Sequence, residues 1–164
     1  MYRCRPMIKY TGYSIVLQEV PDEISLAIEI SNCQHRCPGC HSPELQKNVG
    51  YDLEQDLPTL LKEYAGRITC VCFMGEGNDR DALARCLMSV RKAGLKTCLY
   101  SGSQVFDLSL QCWIDYYKIG PYIEERGGLD SPGTNQSMWL LSSGKSGMAM
   151  SYTNITYKFQ HRKG

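Results

Sequence analysis

The sequence predicts an α/β fold: an open, curved, mostly parallel sheet, a partial (open) β/α barrel with helices on its outer face and a short C-terminal β-hairpin. Three observations predict it. Strand-like segments recur along the chain, at Glu23–Ser31, Ile68–Met74, Lys96–Tyr100 and Asp115–Ile119, and the continuous apolar run of Ile68–Met74 is the signature of a strand buried on both faces. Between them lie segments with apolar residues at i, i+3, i+4 and i+7, one face of a helix. Such alternation is the pattern of parallel βαβ units with right-handed crossovers, and four such strands are too few to close an eight-stranded barrel. A chain of 164 residues fits one domain, 1–164, burying about two-thirds of its unfolded surface.

The elements follow in order. Tyr10 to Val20 reads as a first strand or extended lead-in, Pro21-Asp22 turns it, and Glu23 to Ser31 forms a second strand able to pair with the first as a hairpin. After a polar, irregular stretch from His41 to Gly50, Leu57, Leu60, Leu61 and Tyr64 mark a helix. Asp56 is read as its cap, which puts Pro58 in the first turn, where proline is tolerated; Gly66 ends it. Ile68 to Met74 is the next strand. Asn78 or Asp79 caps a second helix with Leu83, Cys86, Leu87 and Val90 on its apolar face and Gly94 past its end. Lys96 to Tyr100 is a strand, Ser101-Gly102-Ser103 leads into a short helix with Val105, Leu108 and Cys112 inward, and Asp115 to Ile119 is a further strand. Gly120 to Gly133 is rich in Gly and Pro and reads as irregular. Met138 to Leu141 and Met150 to Phe159 form the final hairpin, joined by a turn at Gly144 to Gly147.

The formal net charge is +1 and no basic stripe is visible; the only cationic cluster, His161-Arg162-Lys163, reads as a solvated tail. Nucleic acid is therefore not expected as a partner. No apolar stretch approaches the ~20 residues of a membrane span, and the first residues are too polar for a signal peptide, so no membrane partner is expected and the chain is expected to be cytoplasmic. Nine cysteines without a secretory signal argue for a reducing compartment rather than a disulfide framework. Cys4, Cys70, Cys72, Cys86, Cys98 and Cys112 read mostly as core residues, since free cysteine packs like a small hydrophobe. Cys70 and Cys72 share a strand face, and their apolar neighbours point to packing rather than to a ligand pair.

Cys33, Cys37 and Cys40 are different. They sit at a C-x3-C-x2-C spacing directly after an apolar strand, and Pro38-Gly39 marks the segment as a tight loop. Three thiolates converging on one point hold a soft metal centre. In a cubane iron–sulfur cluster this leaves one iron without a protein ligand and open to a substrate. A Cys3His zinc site with His35 or His41 as fourth ligand and unconnected buried thiols are the alternatives. Zinc motifs usually bring ligands in two separated pairs, whereas all three cysteines here fall in one loop.

The cysteine loop resembles that of the radical S-adenosylmethionine (SAM) superfamily. Asn32 to Pro43 (NCQHRCPGCHSP), Ile68 to Gly75 (ITCVCFMG), Tyr117 to Ile123 (YKIGPYI) and Leu129 to Gln136 (LDSPGTNQ) are similar to one branch, the activating proteins of anaerobic ribonucleoside-triphosphate reductases. The likeness covers residues 10–140. It implies a partial barrel of the radical SAM type and a [4Fe–4S] cluster on Cys33, Cys37 and Cys40. It also implies reductive cleavage of SAM to a 5′-deoxyadenosyl radical, which takes hydrogen from a backbone glycine of the reductase. Implied partners are that reductase, as protein substrate, and an electron donor such as a flavodoxin-like protein. No side chain is assigned as catalytic acid or base, the cluster and SAM carrying the chemistry. A radical SAM enzyme acting on another protein or a small molecule, and a non-enzymatic zinc-binding module, are the competing functions.

In parallel α/β sheets ligands bind at the carboxyl ends of strands. The cysteine loop, Met74-Gly75-Glu76-Gly77, Ser101-Gly102 and Lys118-Ile119-Gly120 all follow strands, so one sheet edge is expected to carry the metal and SAM. The resemblance implies that Gly75 and its neighbour Glu76 contact the SAM amino group and that Gly39, Cys40 and His41 lie beside the methionine portion; Ser101 offers a hydroxyl for its carboxylate or ribose. Gly120 to Gln136 is read as lining for the partner or for SAM. The chain departs from the family pattern in the Glu19-Val20-Pro21-Asp22 turn, in the shifted Gly75-Glu76 landmark and in Gly39 before the third cysteine.

Overall fold

A computed structural model describes residues 7–32, 47–142 and 150–160. The hairpin forms: β1 (Lys9–Val16) and β2 (Ser25–Ile30) pair antiparallel, and β3 (Tyr51–Asp52) adds a two-residue edge to β1 at Tyr10 and Lys9. β4 (Cys70–Met74), β5 (Lys96–Tyr100) and β6 (Tyr116–Ile119) follow, then β7 (Ser137–Ser142) and β8 (Ser151–Asn154). All belong to one eight-stranded sheet in the order β3-β1-β2-β4-β5-β6-β7-β8. Its centre, β2-β4-β5-β6, is parallel, and β7 and β8 complete it antiparallel. With helices α1 (Leu53–Glu63), α2 (Arg80–Lys92) and the short α3 (Tyr157–Gln160), the chain is mixed α/β. Among the described residues no helix is long and apolar enough to cross a membrane.

Helix α2 lies where its pattern puts it. Asp79 caps it, accepting from Ala82 N at 3.1 Å, and Leu83, Cys86, Leu87 and Val90 are buried. Helix α1 starts earlier than expected. Its cap is Asp52, which accepts from Gln55 N, because the Asp56 carboxylate is engaged elsewhere: Tyr10 donates its hydroxyl to it at 2.6 Å. Pro58 therefore falls in the second turn, inside the helix, and deletes the bond its N–H would make to the carbonyl of Glu54.

The alternation of side chains along the strands divides the core in two. Leu26, Ile28, Ile30, Val71, Phe73, Leu99 and Tyr117 face α1 and α2 and pack with Leu53, Leu57, Leu83 and Leu87. On the opposite face Cys70, Cys72, Cys98, Tyr116 and Met138 are covered by Val20 of the β1–β2 connection, by Leu129, and by Ile155 and Phe159 at α3. Emptying either core is costly: truncating a side chain such as Phe73 to Ala removes about 3–5 kcal/mol.

Three expectations are corrected. Residues 101–115 contain no α-helix but a single 3-10 turn, Gln111–Trp113. Val105 and Leu108 are 69% and 75% exposed, and Cys112 is exposed rather than core. Phe106 and Leu110 turn inward in their place, the Phe106 ring lying edge-on to Tyr117 at 5.0 Å. The last strand stops at Asn154, whose side chain accepts from Thr156 N and Oγ1 and turns the chain into α3. The expected turn at Gly144 to Gly147, and Cys4, lie outside the described residues.

Candidate functional site at the carboxyl edge of the parallel strands

Cys33, Cys37 and Cys40, together with Gly39 and His41, lie outside the described residues; the two ends of their segment lie within them. The chain leaves β2 through Ser31 and Asn32, the latter at φ 56°, a left-handed conformation that Asn tolerates better than most residues. Asn32 N then donates to Lys47 O at 2.9 Å. Ser31 fastens the same point, its N–H donating to Lys9 O at 3.0 Å and its hydroxyl to Val49 O. The segment bearing the three cysteines thus departs and returns at the carboxyl end of β2.

The next parallel strand, β4, ends in Met74-Gly75-Glu76-Gly77. Gly75 has φ 120° and Gly77 φ 66°, conformations that side chains resist. A Cβ on Gly75 would stand 3.3 Å from Ile30 O, and one on Gly77 would stand 3.2 Å from Ile30 Cγ2. The sequence reading gave Gly75 to the ligand; the structure gives a nearer reason, the close approach of this turn to the end of β2. Glu76 is half-buried and lines a groove of about 330 Å³ with Arg80, Ser103, Phe106 and Asp107, across which Arg80 Nε and Asp107 are paired at 2.7 Å.

Ser101 follows β5 and is buried. Its hydroxyl oxygen accepts from Ser103 N at 2.9 Å, so it shapes its own loop. The side chain that sequence reasoning passed over is Lys118. It is buried, donates from Nζ to Ser101 O at 3.1 Å and Gly120 O at 2.9 Å, and lies 5.9 Å over the Tyr100 ring. Its signal was legible: a lysine near the carboxyl end of an otherwise apolar strand. The parallel register aligns Glu29 with Met74, Met74 with Tyr100, and Tyr100 with Lys118. These four residues make one row across the sheet on the face away from α1 and α2, at the edge where the cysteine segment is anchored.

Below this row lie the thiols of Cys70, Cys72 and Cys98; burial raises Cys98 well above the ordinary thiol value and raises Cys70 as well, while on the other face of the sheet it pushes Cys86 of α2 up to about 12. Thiols held neutral in this way are poor metal ligands, which need the thiolate. Among the described residues no group of three His, Cys, Asp or Glu side chains is arranged to hold a metal ion.

The segment from Gly120 to Gln136 is wound on itself between β6 and β7. Asn135 Nδ2 donates to Pro121 O at 2.9 Å, Arg126 Nε to Gly133 O at 3.0 Å and Thr134 Oγ1 to Gly127 O at 3.2 Å. Gln160, the last residue of α3, donates from Nε2 to Ser131 O. Asn135 Oδ1 is buried without a hydrogen-bond partner among the described residues, an unusual state for a buried carbonyl oxygen.

No protein-family model, curated protein or solved structure matches the chain.

Proposed function

We propose that the protein is a radical SAM activating enzyme, a partial β/α barrel of that type, acting on an anaerobic ribonucleoside-triphosphate reductase. The observation that carries this reading is the meeting of four segments at one sheet edge. The anchored ends of the three-cysteine segment, the Gly75-Glu76-Gly77 turn, Ser101 and Lys118 all sit at the carboxyl ends of adjacent parallel strands. The donor chemistry fits a [4Fe–4S] cluster: three thiols within eight residues suit a soft metal and leave one iron open. Cys33, Cys37 and Cys40 would hold it, and when bound it supplies the electron that splits SAM.

The chain's own residues bind and orient. The Lys118 ammonium suits the SAM carboxylate, since a charged hydrogen bond in a protected site is stronger than one in water. Glu76, beside the glycine turn, suits the SAM amino group. Gly39 and His41 would stand beside the methionine portion, and Ser101 sets the backbone that receives Lys118. Residues Gly120 to Gln136 line the approach of the reductase's glycine loop. An electron donor such as a flavodoxin-like protein completes the set of partners.

The test combines anaerobically reconstituted protein, SAM and a reductant with the anaerobic reductase of the same genome. A glycyl radical on the reductase, seen by electron paramagnetic resonance with matching 5′-deoxyadenosine, is expected. Its loss is expected when the radical-bearing glycine is replaced. Iron uptake without that radical, with some other protein or metabolite consumed, would reassign the substrate; a stable zinc site without iron uptake would end the reading.

A further inference from the structure

Gln136 closes the segment that links β6 to β7. Lys118 pairs with Met138 and Ile119 with Ser137 across these strands, so Gln136 stands one residue outside the ladder, opposite Gly120. The two backbones touch there: a Cβ on Gly120 would lie 3.0 Å from Gln136 Cα and 2.8 Å from Asn135 O. Gly120 O is one of the two carbonyls that receive the Lys118 ammonium. Gln136 therefore sits at the carboxyl edge of the sheet, beside the backbone that holds the cation of the candidate site. Its side chain is the unusual part. The residue is buried, at 8% exposure, and its backbone N–H donates to Thr134 Oγ1 at 3.0 Å. The carboxamide has no hydrogen-bond partner among the described residues. Its oxygen lies beside Gly128, 3.8 Å from where a Cβ would stand. A carboxamide carries two donors and an acceptor, and burying them unpaired is costly. A methionine would fill a similar space without that cost. Unlike Asn135 Oδ1, which is enclosed, the Gln136 carboxamide is open to a ligand.

On the reading of the chain as a reductase-activating enzyme, we propose that Gln136 receives a peptide group of the protein substrate, at or beside the glycine that gives up its hydrogen. Glycine has no side chain, so a binding site can hold it only through its backbone N–H and C=O. A carboxamide presents an N–H and a C=O side by side and matches a peptide group in both. It is neutral, and so suits that group better than the carboxylate or ammonium of SAM, for which Lys118 and Glu76 carry the opposite charges. An amide kept unpaired at a cost to the free protein is the mark of a site completed by its partner, stability being given up where function needs it. The adenine edge of SAM offers a similar donor and acceptor, and SAM titration distinguishes the two.

Gln136→Met is the test, with three measurements on the full-length protein. Urea unfolding of the protein alone should show stability equal to or above wild type, since the unpaired amide is gone. SAM titration of the reconstituted protein should give the wild-type affinity, because no atom of Gln136 is given to SAM. The reductase concentration for half-maximal glycyl radical, read by electron paramagnetic resonance at saturating SAM, should rise about threefold to tenfold, the equivalent of a neutral hydrogen bond. Three results would overturn the assignment. Lower stability would make Gln136 a structural residue, weaker SAM binding would give it to the adenine, and an unchanged half-maximal concentration would leave it without the contact. Wild-type protein that takes up iron and cleaves SAM, yet yields no radical on the reductase, would instead remove the partner from the reading, and this contact with it.

Discussion

Lys118 and Ser101 hold each other twice. Ser101 N donates to Lys118 O at 2.9 Å, continuing the pairing of β5 with β6, and Lys118 Nζ donates back to Ser101 O at 3.1 Å. A side-chain charge is thereby fixed to the backbone of the neighbouring strand's end, at the centre of the candidate site.

Lys118→Met tests this relationship. Two carbonyls, of Ser101 and Gly120, lose a donor, and a buried acceptor left unsatisfied costs about 1–3 kcal/mol. Urea unfolding should register that loss. If Lys118 also receives the SAM carboxylate, titration with SAM should show affinity lower by about tenfold to a hundredfold, the equivalent of one charged hydrogen bond, with iron content unchanged. Unaltered affinity would remove Lys118 from the site.

Iron content separates the cysteines. Cys33→Ala, Cys37→Ala or Cys40→Ala should abolish cluster uptake in anaerobic reconstitution, while Cys70→Ala and Cys86→Ala should retain it. Cys112→Ala should also retain it, for another reason than core packing: Cys112 is exposed and precedes β6, at the amino ends of the parallel strands. Loss of iron in any of these last three would move the metal.

Gly75→Ala should destabilise the protein before any ligand is considered. At φ 120° a side chain is strained, and its Cβ meets Ile30 O at 3.3 Å; a residue held in such a region costs about 1–3 kcal/mol. Thermal unfolding checks this. Gly75→Val, a natural choice from sequence alone for filling the ligand space, would disturb the end of β2 as well, so Glu76→Gln is the cleaner probe of SAM binding.

Stability should fall as pH rises beyond about 9. Buried Cys70, Cys86 and Cys98 are raised above their ordinary 9.0, and Tyr10, Tyr116 and Tyr117 above 10.0. Below those values each group is neutral folded or unfolded, and its contribution is complete. As pH rises past them the unfolded chain ionises first and gains, so stability drops through the folded values, about 12 for Cys86, Tyr10 and Tyr117. Each group adds up to ~1.4 kcal/mol per pH unit. Tyr10→Phe should lower stability at neutral pH, by loss of the Asp56 bond, and flatten the fall between pH 10 and 12 in denaturation curves.

Much of this architecture is legible in the sequence because local signals and tertiary contacts agree. The β5 strand, Lys96–Tyr100, and helix α2 with its Asp79 cap are such cases. Misreadings arise where a distant partner decides. Asp56 looks like a cap, but its carboxylate receives Tyr10 from 46 residues away, leaving the role to Asp52. Val105, Leu108 and Cys112 have helical spacing, but the room in the core is filled by Phe106, edge-on to Tyr117 and Trp139 and stacked on Tyr152. In the site, the strand-end positions of Gly75, Glu76 and Ser101 follow from pattern. What Gly75 and Ser101 do there depends on Ile30 and Ser103, which no local pattern reveals. The cysteine segment itself lies outside the described residues.

The bond between Asn32 and Lys47 has an evolutionary consequence. An excursion that begins and ends at one fastened point transmits neither its length nor its sequence to the strands on either side. Such a segment is a module. Residues there can be exchanged, inserted or deleted while the register of β2 against β4 stays as it is, so this segment can change at a rate the sheet does not share.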